Sequence, residues 1–169
     1  MSKSEVSVFL SLGTNVGQRE NNLRSALDYI SEFEDTRIIK VSGVYETKPW
    51  GYVEQDDFLN LCVYLITSLG PYELLYKCQQ TEKKLHREKN FKWGPRTMDI
   101  DILMYDEVIS DDETLTLPHP YMLERSFVMV PLVEIAPDLE IHGKKVEEWY
   151  RELDPGEKDN TLFVTLNPW

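Results

Sequence analysis

Asp99 and Asp101 stand two residues apart behind an arginine, in the run Trp93-Gly94-Pro95-Arg96-Thr97-Met98-Asp99-Ile100-Asp101-Ile102-Leu103. Ile100, Ile102 and Met104 alternate with Asp99, Asp101 and Leu103, the period of a half-buried strand. On a strand both carboxylates project to one face, about 6.6 Å apart at ~3.3 Å of rise per residue. Like charges that close repel unless something positive lies between them. A hard divalent cation that also bridges substrate phosphates satisfies such a pair. Two exposed acids at a strand end are the plainer reading of any D-x-D. Arg96 and the basic segment before it turn the balance toward metal and phosphate.

That segment, residues 83–96, holds Lys83, Lys84, Arg87, Lys89, Lys92 and Arg96, six of the eighteen Lys and Arg, plus His86 against Glu88. It reads as a local anion site, with a solvated helix face as the alternative. Gln79, Glu82, Lys83, His86 and Arg87 recur at helical spacings and form one stripe. Arg96 can either neutralise the carboxylates or grip a nucleotide phosphate bidentately. Pro118-His119-Pro120 and Arg125 add a histidine and an arginine in irregular chain, where a lone His is more often a packing residue. There is no Cys/His metal spacing, H-E-x-x-H or G-x-S-x-G, so a covalent nucleophile has little support. Two carboxylates among cations fit phosphoryl-type transfer, in which positioning and charge neutralisation supply most of the catalysis. Phe58 and Asn60 point to one side of a strand. A flat ring could lie on Phe58 while Asn60 meets its polar edge, with Phe127 closing the other side. Core packing is the commoner fate of an aromatic, but an amide within a strand needs a partner.

The elements that must position these residues follow from periodicity. Val6, Val8 and Leu10 start a strand, and Leu12-Gly13-Thr14-Asn15-Val16-Gly17 reads as a tight strand-to-helix turn. A phosphate loop there lacks both the Walker ending and the full G-x-G-x-x-G. Leu23, Ala26, Leu27, Ile30 and Phe33 predict a helix over 19–34, and residues 37–45 a second strand. After a loop at 46–57, Leu59, Leu61, Val63 and Leu65 share one face of a third strand, opposite Phe58, Asn60, Cys62 and Tyr64. Gly70-Pro71 opens a helix running to about residue 88, with Leu74, Cys78, Thr81 and Leu85 as its core stripe. A loop at 89–97 delivers the chain to a strand at 99–105. A short strand broken by prolines at 115–120, helices at 127–135 and 146–153 and a last strand at 163–166 complete the chain. The order β-α-β-β-α-β predicts an α+β fold: a mainly antiparallel sheet covered by helices, with a C-terminal extension, in one domain over 1–169. Both loops are long enough to be functional candidates.

A chain of 169 residues suits one domain burying roughly 70% of its unfolded surface. The net charge of −12 argues against a general nucleic-acid binder. No apolar run approaches the ~20 residues of a membrane span, and Met1-Ser2-Lys3-Ser4-Glu5 does not begin a signal peptide. The expectation is a cytoplasmic protein with no membrane partner, in which Cys62 and Cys78 are small reduced core residues. Nothing in the pattern fixes an oligomeric state.

Together these residues resemble the 6-hydroxymethyl-7,8-dihydropterin pyrophosphokinase family of folate biosynthesis. The segment 93–103 carries the resemblance, with Ser11-Leu12-Gly13-Thr14-Asn15-Val16-Gly17, Phe58-Leu59-Asn60, Leu117-Pro118-His119, Arg125 and Phe127 in the same order. The resemblance implies a ferredoxin-like fold and ATP-dependent transfer of pyrophosphate to the pterin hydroxymethyl group, releasing AMP. It assigns two Mg²⁺ ions to Asp99 and Asp101, and catalysis to these with Arg87 and Arg96. It sets Gln79, Glu82, Arg87, Arg96, Ile102, His119 and Arg125 around ATP, and Thr47, Lys48, Trp50, Phe58, Asn60 and Phe127 around the pterin. Trp93 belongs to a loop that closes over substrates. A non-catalytic ligand-binding module on the same scaffold, or another metal-dependent phosphoryl transferase, shares parts of this pattern.

Overall fold

The computed structural model describes residues 4–48, 57–85 and 98–166. Its elements are β1 (Val6–Thr14), α1 (Arg19–Ser31), β2 (Thr36–Val41), β3 (Val44–Thr47), β4 (Phe58–Thr67), α2 (Pro71–Leu85) and β5 (Asp99–Tyr105). There follow β6 (Ser110–Asp112), β7 (Leu115–Leu117), a 3-10 turn (Met122–Glu124), α3 (Ser126–Ile135), β8 (Glu140–Ile141), β9 (Lys144–Lys145), α4 (Val146–Arg151), α5 (Pro155–Asp159) and β10 (Thr161–Thr165).

The main sheet runs β10-β3-β4-β1-β5, every pair antiparallel, with β2 beside β3 along the same edge of β4. With β2 and β3 counted as one interrupted strand, this is the split βαβ order expected from the sequence. The predicted strand over 37–45 is broken at Ser42 and Gly43. Ser42 donates its N–H to the Cys62 carbonyl at 2.9 Å, and its hydroxyl accepts the Cys62 N–H at 2.9 Å. Gly43 leaves room where a Cβ would lie 2.8 Å from Phe163 Cε2 and 3.1 Å from the Thr165 carbonyl. The strand expected from residue 115 forms as β7 and ends at Leu117, before the prolines, whereas its partner β6, the hairpin β8–β9 and the short helix α5 were not expected. Elements of two to five residues give no periodic signal.

Helices α1 and α2 cover one face of the sheet. Leu23, Ala26, Leu27 and Ile30 of α1 and Leu74 and Cys78 of α2 pack with Val8, Leu10, Leu12, Leu59, Leu61, Val63 and Leu65. Pro71 leads α2, and Glu73 Oε1 turns back to accept the Gly70 N–H at 3.1 Å, a half capping box. On the other face, α3 packs over β4 and β3 in a second cluster containing Phe9, Cys62, Met129 and Leu132. Cys62 and Cys78 are buried free thiols, as expected.

Two register features differ from simple alternation. Phe9 lies opposite Met104, but Leu10 lies opposite Ile102, so Leu103 is an extra residue on β5. This bulge carries Met104 to the α3 side with Phe9, whereas strict alternation had it beside Ile100 and Ile102. Gly13, expected in the turn, is the penultimate residue of β1. The turn is confined to the next residues, where Gly17 takes a left-handed φ of 71° and Asn22 donates to the Val16 carbonyl at 2.7 Å. The described part of the second helix ends at Leu85, so its expected extension to residue 88 lies outside the described residues.

Candidate active site

Residues directly opposite in antiparallel strands share a face. Asp99 lies opposite Gly13, Gly13 opposite Asn60, and Asn60 opposite Tyr45. Asp101 lies opposite Ser11, and Ser11 opposite Cys62. Both carboxylates and the amide therefore point to the α3 side, away from α1 and α2. Asp99 and Asp101 are half-buried, and Asn60 is buried. Two strand spacings, about 9.6 Å, separate the carboxylate strand from the amide strand, with a glycine between them.

The amide is held by a residue of the neighbouring strand. Asn60 Nδ2 donates to Thr47 Oγ1 at 2.9 Å. Thr47 in turn lies opposite Phe58 on β4 and opposite Thr161 on β10. Thr161 exchanges a 2.8 Å hydrogen bond with the buried Ser126 hydroxyl at the first turn of α3. A continuous path thus links Asn60, Thr47, Thr161 and Ser126, whose chain neighbours are Arg125 and Phe127. The Arg125 guanidinium lies over the Phe127 ring at 5.6 Å and over Tyr121 at 5.3 Å. Such contacts hold both side chains without neutralising the cation.

The outer edge of β5 is dressed by two site residues. Glu82 Oε2 accepts the Ile100 N–H at 2.8 Å, and the His119 N–H donates to the Leu103 carbonyl at 2.8 Å. These bonds flank Asp101 and satisfy groups that an edge strand leaves open. His119 Nδ1 accepts the Tyr121 N–H at 3.3 Å. Burial, with Arg125 beside it, pushes the imidazole below its ordinary range, against the pull of Asp101. At neutral pH the ring is therefore neutral, with its proton on Nε2.

Other expected site residues land less centrally. Gln79 and Lys83 are exposed on α2, and Lys48 is exposed just after β3. Ile102 turns its side chain the other way, into the core under α1 and α2. Trp50, His86, Arg87, Lys89, Lys92, Trp93 and Arg96 lie outside the described residues. Sequence reasoning passed over Thr161 and Ser126, which have no motif, and Arg19, which donates to Glu46 Oε2 at 2.7 Å and to the Asp57 carbonyl at 2.8 Å. Arg19 thereby ties together the two ends of the segment joining β3 and β4. It also passed over Glu134 of α3, whose carboxylate accepts the Gly43 N–H at 3.0 Å and the Tyr45 hydroxyl at 2.6 Å. Burial, with Glu134 beside it, raises Tyr45, so the phenol remains a donor.

The fold and the site define an α+β protein of the βαββαβ kind, with an acidic pair, a buried amide, a neutral histidine and an aromatic-backed arginine gathered on one sheet face. The model of the 7,8-dihydro-6-hydroxymethylpterin-pyrophosphokinase (HPPK) family matches residues 9–137, and the chain belongs to that family. It is 44% identical over 147 residues to the 2-amino-4-hydroxy-6-hydroxymethyldihydropteridine pyrophosphokinase of Methylorubrum extorquens, covering 87% of this chain and 93% of the relative. It is 43% identical over 139 residues to the Bacillus subtilis protein of the same name, covering 82% and 83%. Among solved structures, a Plasmodium falciparum HPPK-DHPS crystal structure superposes with a TM-score of 0.72 at 15% identity, over 89% of this chain. The chain spans 46% of the length of that larger protein, and the likeness carries the fold.

Proposed function

We propose that this chain transfers pyrophosphate from ATP to the hydroxymethyl group of 6-hydroxymethyl-7,8-dihydropterin, releasing AMP, as a step in folate biosynthesis. The observation that carries this reading is the row Asp99–Gly13–Asn60, in which a carboxylate and an amide suited to a heterocycle edge face one side, two strands apart. In the reaction the acceptor oxygen bonds to the β-phosphorus as the bridge to the α-phosphate breaks. AMP leaves and the hydroxyl proton is released.

The donor set suits Mg²⁺. Among the described residues no group of three or more His, Cys, Asp or Glu could hold a metal ion by itself. Mg²⁺ is commonly held by one or two carboxylates together with substrate phosphates and water, so two half-buried aspartates suffice. Asp99 and Asp101 would hold two such ions, which supply charge neutralisation for the triphosphate. The neutral His119 offers an Nε2–H donor to a phosphate oxygen, and Arg125 a fixed cation. Arg87 and Arg96 extend this phosphate grip. Gln79, Glu82 and the chain at Ile102 border the nucleotide. Phe58 and Phe127 sandwich the pterin while Asn60, Thr47, Lys48 and Trp50 read its edge.

Measuring AMP with and without the pterin in the presence of Mg-ATP tests this. Pterin-dependent AMP is expected; folded protein that forms none would sink the reading and favour a ligand-binding module. Asp99→Ala and Asp101→Ala should each lower kcat by about 10³-fold, the worth of several kcal/mol, with the fold intact by circular dichroism. Near-normal Mg-dependent turnover in either variant would remove the two-metal assignment.

A further inference from the structure

Gly13 lies near the end of a central strand but is paired on both sides, to Asn60 and to Asp99, a setting in which glycine is normally unfavourable by about 0.5–1 kcal/mol relative to alanine. Its backbone gives no reason for the choice: among the described residues the left-handed glycines are Gly17 and Gly143, and Gly13 is not one of them. Its surroundings do give one. A Cβ on Gly13 would stand 2.7 Å from Asn60 Oδ1, with Asn60 Cγ at 3.8 Å and Phe58 Cδ1 at 3.9 Å. The Asn60 amide therefore lies across the bare Cα of its cross-strand partner, with Nδ2 tied to Thr47 on the far side.

Two constraints thus act on one amide from opposite strands. The hydrogen bond to Thr47 sets which atom faces β3, and the missing side chain on β1 lets the group settle there. A methyl at position 13 would drive Oδ1 away, and the amide could yield only by rotating against its bond to Thr47. We propose that Gly13 is a positioning residue for the acceptor: the absence of its side chain sets the orientation of the Asn60 amide that reads the heterocycle edge. This deepens the pterin reading of the site and rests on it.

The experiment is a double-mutant cycle on the full chain, with pterin KM, ATP KM and kcat measured in wild type, Gly13→Ala, Asn60→Ala and the combined variant. Gly13→Ala should raise pterin KM at least about tenfold, leave ATP KM within about twofold, and have less than a twofold further effect once Asn60 is alanine, because the contact is then gone. An unchanged pterin KM in Gly13→Ala overturns the proposal, as does an equal penalty in both backgrounds. If Gly13→Ala alone does not fold, the combined variant should fold and match Asn60→Ala in pterin KM; a further rise overturns the proposal. If wild type forms no pterin-dependent AMP, the reading of the site fails. The Asn60 side-chain NH₂ resonances then decide the contact: they should move in Gly13→Ala, and resonances that stay put overturn it.

Discussion

Individual side chains in this site do their work through partners on other strands. One carboxylate oxygen of Glu82, a residue expected beside the nucleotide, holds the Ile100 N–H between the two aspartates. Glu82→Ala should leave that edge N–H without its acceptor and cost about 1–2 kcal/mol in urea denaturation, somewhat below the usual worth of a charged hydrogen bond because the group is half-buried. Glu82→Gln keeps an acceptor oxygen and should recover most of the loss. Equal stability in all three proteins would show that the bond contributes nothing. The carboxylate pair and Asn60 were legible because polar residues at strand period in an apolar run are conspicuous. The contacts that hold them were not: Thr47 meets Asn60, and Glu82 meets Ile100, across separations of 13 and 18 residues that no local pattern encodes.

Between elements, β10 does more than its position at the chain's end suggests. It lies outside the region matched by the family model, yet Thr161 joins β3 to the start of α3, and so joins the Asn60 amide to the Arg125–Phe127 corner. Thr161→Val keeps the shape and strand propensity but leaves the buried Ser126 hydroxyl without this partner. A stability loss of about 1–2 kcal/mol and a several-fold rise in pterin KM, with ATP KM unchanged, are the expected outcome. A variant with normal pterin KM would detach β10 from the site. Sequence periodicity placed this strand two residues late and merged β2 with β3. Apolar alternation continues through a break that is made by a serine hydroxyl, a glycine clearance and a carboxylate from α3.

Across the whole molecule the sheet separates two tasks. Its α1/α2 side is a continuous apolar core, and its α3 side carries the polar row and the carboxylates. Leu27 is fully buried in the first of these. Leu27→Ala should lower unfolding stability by about 2–5 kcal/mol while leaving pterin and ATP KM within about twofold well below the melting transition. A large KM change at full folding would mean that the two faces are energetically coupled. Among the described residues no helix is long and apolar enough to cross a membrane, in keeping with a sequence that has no extended apolar run.

The sequence by itself determined the succession of the main strands and helices along the chain, the helix faces and the shared side of Asp99 and Asp101, because these depend on periods of two and 3.6 residues that local composition writes directly. It also carried the resemblance to the family, through motifs that need no folding to be read. The tertiary structure alone decided which residues share a row. One bulge at Leu103 sends Met104 to the opposite face, and one register match sets Gly13 between Asp99 and Asn60. Register is fixed by the summed burial of whole strands and by single hydrogen bonds between distant elements. Neither quantity exists until the chain has closed on itself.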